Sequence, residues 1–161
     1  MAKEKEIKTN AMRILDRQKI KYEVLQYECD EFIDGLHTAE KTGAPVEQSF
    51  KTLVAQGKSK QYYVLVLPIA EEVDLKKAAK VSGNKSCEMI HVKELLPLTG
   101  YIRGGCSPIG MKKHFPTYIH QSAEQFDHIY VSAGQRGLQV RIAPADLIRE
   151  ARAEVADLLS L

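Results

Sequence analysis

The sequence predicts an α+β fold built around a mixed or antiparallel sheet, and three observations predict it. Short strand-like runs are joined by turn signals, Gly57-Lys58-Ser59-Lys60 and Gly134-Gln135-Arg136-Gly137, that suit hairpins. Helical segments are interspersed among these runs and sit at the ends, without the regular strand–helix alternation of a doubly wound fold. Neither GxGxxG nor GxxxxGK[ST] occurs, so the common phosphate fingerprints of α/β folds are missing.

Each element has a local reason. Thr9 and Asn10 cap a helix that carries Met12, Ile14 and Leu15 on one face and runs to Lys19. Tyr22 to Tyr27 is a strand that enters a turn at Glu28-Cys29-Asp30-Glu31. His37 to Thr42 makes a short helix stopped by Gly43, and Ala44-Pro45 opens another turn. Ser49 to Ala55 and Tyr62 to Leu67 form an antiparallel hairpin. Asp74 caps Leu75 to Val81, which Gly83 ends. Cys87 to Ile90 is a short strand, followed by a helical turn from Val92 to Leu96 that Pro97 and Gly100 terminate. Tyr118 to His120 and Ile129 to Ser132 are extended, and the Gly134 to Gly137 turn leads into Leu138, Val140 and Ile142. Pro144 opens a final helix expected to carry Leu147, Ile148, Ala151, Val155, Leu158 and Leu159 on its core face.

The chain has 161 residues, which fits one domain spanning 1–161 with a core that needs neither disulfides nor metals. An apolar fraction of 44% and a charged fraction of 27% exclude a disordered or fibrous chain. The net charge of +2 is far from the strongly basic balance of a general nucleic-acid binder, and no DNA partner is expected. Met1-Ala2-Lys3-Glu4-Lys5-Glu6 lacks a signal peptide's apolar run, and no stretch approaches the roughly 20 apolar residues of a membrane span, so a cytoplasmic location is expected. The three cysteines, Cys29, Cys87 and Cys106, have no CxxC spacing and read as free thiols; no metal or cofactor is expected.

The segment richest in chemistry is Gly104-Gly105-Cys106-Ser107-Pro108, with Gly110, Lys112 and Lys113 behind it. Adjacent glycines let successive N–H groups converge on one anionic atom, either as an oxyanion hole or as a phosphate cradle. None of the five histidines lies in a Ser/His or Cys/His signature, so no nucleophile–base pair is evident. Cys106 has no identified activating base and is read as a packed thiol.

Four segments resemble the YbaK/EbsC family of aminoacyl-tRNA deacylases: Phe50-Lys51-Thr52-Leu53, Asp74-Leu75-Lys76-Lys77-Ala78-Ala79, the run from Gly100 to Gly110, and Tyr130-Val131-Ser132-Ala133-Gly134-Gln135-Arg136-Gly137-Leu138. The likeness extends from Tyr22 to Ile142 and preserves the order of the motifs. It implies a barrel-like sheet with surrounding helices and a trans-editing hydrolase for cysteinyl-tRNA(Pro), the misacylated product of prolyl-tRNA synthetase. Such a second sieve is useful because a pocket separates apolar groups differing by a methylene by only about 1–3 kcal/mol. The resemblance further implies that Lys51, Gly104 and Gly105 act in catalysis, the glycines as oxyanion donors. Tyr27, Thr52, Ser107, Pro108, Ser132, Gly134 and Gly137 are implied to bind the substrate, with the tRNA(Pro) 3′ end and the synthetase as partners. The implied chemistry is substrate-assisted: the thiol of the esterified cysteine attacks its own carbonyl, forms a thiolactone and expels the tRNA.

Other readings stay open at this level. Tyr27 is a pocket residue or a half-buried aromatic, and Lys112, Lys113 and His114 contact tRNA phosphates or form an exposed turn. The chain departs from the family pattern at Gln139, where relatives can carry a carboxylate, and in the register of the loop aromatic Phe32. These departures leave a deacylase of different specificity, such as for alanyl-tRNA, and a non-catalytic tRNA- or synthetase-binding module as alternatives.

Overall fold

The computed structural model describes residues 8–28 and 34–160, so Met1 to Glu6, Cys29 and Phe32 lie outside the described residues. Helix α1 (Asn10–Arg17) starts where the Thr9 hydroxyl accepts the Met12 N–H at 3.2 Å. Strand β1 (Tyr22–Gln26) follows, then helix α2 (Gly35–Thr42), capped by Asp34 and ended by Gly43 at φ +75°. The expected hairpin is present as β2 (Phe50–Gly57) and β3 (Tyr62–Pro68), antiparallel with Lys51 opposite Leu67. Asp74 caps helix α3 (Leu75–Val81), its carboxylate accepting from the N–H groups of Lys76 and Lys77.

Strand β4 (Cys87–Met89) pairs with β2, and helix α4 (Val92–Thr99) follows it. Contrary to expectation, Pro97 does not stop this helix, which runs on to Thr99 and ends at Gly100 with φ +86°. The final elements are β5 (Thr117–His120), β6 (Ile129–Ser132), β7 (Leu138–Ile142), helix α5 (Pro144–Ala151) and strand β8 (Ala153–Ala156). The predicted long C-terminal helix is therefore wrong in its second half. Arg152 turns left-handed at φ +52°, and the chain then adds β8 parallel to β5, with Ile119 opposite Val155. A sheet edge that needed a partner outweighed the helical spacing of Val155, Leu158 and Leu159.

Five strands form one sheet in the order β4-β2-β3-β5-β8, and three form another in the order β1-β7-β6. The two approach at an isolated bridge between Ser49 and Tyr130. The barrel-like expectation is corrected: the strands are divided between two sheets and do not close. Alternation along β3 explains the double-sided core. Val64 and Val66 join Met12, Leu15, Val131, Val140 and Leu147 in the larger cluster, while Tyr63, Leu65 and Leu67 pack with Ala78 of α3, Tyr118 and Leu158 on the other face. With β3 buried on both sides, the exposed edge of the larger cluster is left to β2, β4 and the loop before Phe115 to shape a cavity.

Candidate active site

The cavity encloses about 560 Å3 and is lined from both sheets, from α4 and from the glycine loop. That volume suits a small organic group rather than a helix or strand. Strand β2 contributes Phe50 to Val54, β6 contributes Ser132, β7 contributes Gln139, and the loop contributes Arg103, Gly104 and Cys106. Of the residues expected at the site, Tyr27, Lys51, Thr52, Gly104 and Ser132 meet in this cavity. Residues brought from four distant parts of the chain thus share one space.

Lys51 is half-buried, and this burial pushes its ammonium below the ordinary lysine range, while Glu72 and Glu71 partly offset the effect. A cation so placed meets a bound carbonyl or phosphate without the full screening of water. Ser132 holds its hydroxyl toward its own turn, accepting the Gly134 N–H at 3.2 Å. Tyr27 is anchored by its N–H to Gly137 O at 2.9 Å, is half-buried and lines the cavity.

The glycine loop is organised differently from the expectation. Gly105 donates its N–H to Ile102 O at 2.9 Å, closing a turn whose third residue is Gly104 at φ +86°. The Gly105 N–H is therefore spent and does not serve as an oxyanion donor. Gly105 is glycine because a Cβ there would meet Arg136 N and Gln135 Cα at 2.9 Å. The N–H groups of Gly104 and Cys106 have no acceptor among the described residues, and both residues line the cavity.

Other expected residues support the loop from behind. Ser107 is 1% exposed and its hydroxyl accepts the Ile109 N–H, so it stabilises the turn rather than facing a ligand. Pro108 is likewise buried away from the cavity. Gly134, at φ +109°, lies against Tyr101 and Thr9, and Gly137, at φ +89°, lies against Tyr27 O, where a side chain would collide. Gly137 borders a shallower depression shared with Tyr27 and Arg136. Lys112, Lys113 and His114 are exposed and do not line the cavity.

Cys106 is 6% exposed, and its burial pushes the thiol up to about 12, with a Thr99 hydrogen bond opposing only in part. A thiol held neutral in this way is a poor nucleophile, which agrees with its reading as a packed residue. Among the described residues no group of three or more His, Cys, Asp or Glu side chains is placed to hold a metal ion. No helix there is long and apolar enough to cross a membrane.

The sequence reading missed the apolar wall, chiefly Ile69, Met89, Val92 and Leu95. Met89 reaches the site only because β4 pairs with β2 opposite Ala55, a contact with no local sequence signal. It also missed that Gln139, noted as a departure, is a buried wall residue at 8% exposure.

A lysine, a glycine turn and serine and threonine hydroxyls surround one cavity in this fold, and the chain matches the model of the aminoacyl-tRNA editing domain. The chain belongs to that family, matching it over residues 36–150. Among individual proteins it is 46% identical over 160 residues to EbsC of Enterococcus faecalis (strain ATCC 700802 / V583), named a Cys-tRNA(Pro)/Cys-tRNA(Cys) deacylase, with 98% of each chain covered. A solved structure described as a trans-editing enzyme for prolyl-tRNA synthetase superposes with a TM-score of 0.82 at 24% identity, covering 97% of this chain and 100% of that one. The hypothetical protein APE2540 superposes with a TM-score of 0.86 at 17% identity, covering 94% and 100%. At these identities the two structures speak for the fold alone.

Proposed function

We propose that this protein hydrolyses cysteinyl-tRNA(Pro) in trans, using the substrate's own thiol as the nucleophile. The observation that carries the reading is a cavity with a half-buried lysine and loop N–H groups that lack an acceptor among the described residues, whose described walls hold no activated side-chain nucleophile, Cys106 being held neutral by burial. The 46% identity to EbsC supports the substrate.

In this mechanism the substrate sulfur bonds to the ester carbonyl carbon and negative charge develops on the carbonyl oxygen. The N–H groups of Gly104 and Cys106 stabilise that oxygen, and Lys51 supplies a cation to the ester or the adjoining phosphate. Collapse of the adduct breaks the bond to the ribose oxygen, which receives the thiol proton. The four-membered thiolactone leaves and is opened by water. The protein's share is proximity, an oxyanion environment and exclusion of competing geometries. Alanyl and prolyl esters bring no thiol, so selectivity resides in chemistry as well as in fit. Prolyl-tRNA synthetase is the partner this reading assigns, as the source of the mischarged tRNA.

Incubating the purified protein with cysteinyl-, alanyl- and prolyl-tRNA(Pro), with and without the synthetase, tests the reading by loss of the ester. Rapid loss of the cysteinyl ester alone is expected. A preference for alanyl-tRNA(Pro) discards the thiol mechanism, and inactivity toward all three by folded protein discards the enzymatic reading.

A further inference from the structure

The two ends of the β2–β3 pair carry opposite charge. At the end near Lys51, β3 runs out into Glu71 and Glu72, both exposed and close enough to act on that lysine's ammonium. At the other end the turn carries Lys58 and Lys60, and the fold brings Lys80 of α3 and Lys85 beside them. The Lys58 N–H donates to Ser86 O at 3.1 Å, the Ser59 hydroxyl to Asn84 Oδ1 at 3.0 Å, and the Asn84 N–H to Ala79 O at 2.8 Å. All four lysines are exposed, and none of them is held in an ion pair among the described residues. Glu88, opposite Gln56, is the acid that β4 carries, so the balance at this end stays positive. Lys60 also holds φ +67°, a left-handed corner that glycine or asparagine takes at less cost. Like charges gathered without a counter-charge make a local positive potential, the footprint of a polyanion site.

This basic corner is continuous with the rim of the cavity. Val54 of β2 and Met89 of β4 line the cavity. Gly57 lies three residues beyond Val54 and Lys85 four before Met89, so the lysines begin about 10–13 Å from the cavity wall at the rise of a strand. Met89 is also 36% exposed and Val92 58%, which puts β4 and the start of α4 at the mouth. An aminoacylated RNA seated by its 3′ ester must lead its phosphate chain out through that mouth. The glutamates repel the chain at one end of the β2–β3 pair, and the lysines attract it at the other. We infer that Lys58, Lys60, Lys80 and Lys85 form the surface that holds the sugar-phosphate backbone of the tRNA acceptor stem, by charge and without reading its sequence. This inference rests on the deacylase reading above, and it lays the body of the tRNA along β2 and β4. Lysine ammoniums are point charges on flexible stems, which suits attraction to a backbone more than recognition of bases.

Binding and turnover are measured separately. Fluorescence anisotropy with uncharged tRNA(Pro) compares the wild type with the combined variant Lys58→Gln, Lys60→Gln, Lys80→Gln, Lys85→Gln and with arginine at the same four positions. The glutamine variant is expected to bind about tenfold or more weakly at about 50 mM salt, with the slope of log K against log salt flatter by about one for each lysine removed. The arginine variant, which keeps the charge, is expected to bind as the wild type does. In the turnover arm, the glutamine variant should lose about the same factor in kcat/KM on cysteinyl-tRNA(Pro) and nothing on the cysteinyl ester of a CCA trinucleotide, which has no stem. Wild-type tRNA affinity and salt slope in the glutamine variant overturn the inference. An equal loss on the trinucleotide also overturns it, because that is the mark of a disturbed cavity. Unchanged tRNA affinity with loss of the synthetase's enhancement alone makes the patch a protein-docking face and overturns it as well. A wild type that hydrolyses neither ester yet binds tRNA through these lysines removes the deacylase reading and leaves the surface standing.

Discussion

Gly105 lies so close to Arg136 that a Cβ on the glycine would stand 2.9 Å from the Arg136 backbone nitrogen. The loop that shapes the cavity is thus clamped to the hairpin turn between β6 and β7, and Arg136 Nε donates to Arg103 O at 2.8 Å across the same seam. The doubled glycine has two separate tasks: Gly104 takes the left-handed corner, and Gly105 permits contact between two backbones.

Gly105→Ala should therefore injure the site without touching the substrate. The obstacle is backbone rather than a flexible side chain, so we expect a loss of about 1–3 kcal/mol in stability, in the range of overpacked positions. Deacylation should fall further than stability alone explains, because Gly104 and Arg103 move with the loop. Thermal unfolding and kcat/KM measured on the same preparation separate the two effects.

Lys51→Ala should lower deacylation by about a hundredfold or more while leaving the fold intact, the scale of losing one preorganised charge donor. If the ammonium form is required, activity falls as pH rises through the folded lysine value. Burial sets that value below the ordinary lysine range, and Glu72 and Glu71 raise it. Replacing both glutamates by glutamine should shift the alkaline limb to lower pH. An unmoved limb, after correction for spontaneous ester loss, would mean that Lys51 is not the titrating group.

Cys106→Ser should be nearly silent in catalysis, and Cys106→Ala should cost within about 1 kcal/mol of stability. Burial already holds the thiol neutral, so neither change removes a thiolate. A collapse of activity with a preserved melting temperature would identify Cys106 as a nucleophile and discard substrate assistance.

His120 should make the C-terminal strand sensitive to acid. It is 7% exposed, and its Nδ1 accepts the Leu158 N–H at 3.1 Å, which requires the neutral ring. Burial holds its pKa below the usual value, opposed by Asp157 and Glu71 and reinforced by Lys77. The folded value lies below the unfolded one of about 6.5, so the contribution is complete above that pH and is lost as pH falls through the folded value. Lys77 bonds Asp157 at 2.6 Å from the neighbouring helix, so the same strap carries an ion pair. His120→Leu should cost about 1–3 kcal/mol near neutrality by stranding the Leu158 N–H. It should also flatten the acid limb of a stability–pH profile; an unchanged limb would exclude His120 as its source.

Much of this protein was legible in its sequence because the signals are local. Thr9 and Asp74 mark helix starts through their own side-chain oxygens, and the Gly57 and Gly134 turns mark hairpins that form within a few residues. The segments around Lys51, Gly104 and Ser132 were likewise visible as motifs, and the fold brings them to one cavity. What only the tertiary structure decided depends on partners far away in the chain. Ala153 to Ala156 became a strand because the β5 edge lay beside it, although its own spacing is helical. The Gly105 N–H was committed to Ile102, and the bulk of the glycine was excluded by Arg136, 31 residues ahead in a different turn. Gln139 departs from the family pattern, and only the pairing of β7 with β1 and β6 places it in the cavity wall, with its Oε1 buried and without a hydrogen-bond partner. Caps and turns are short-range energies written residue by residue, whereas desolvation, steric exclusion and the pairing of sheet edges exist only once distant segments have met.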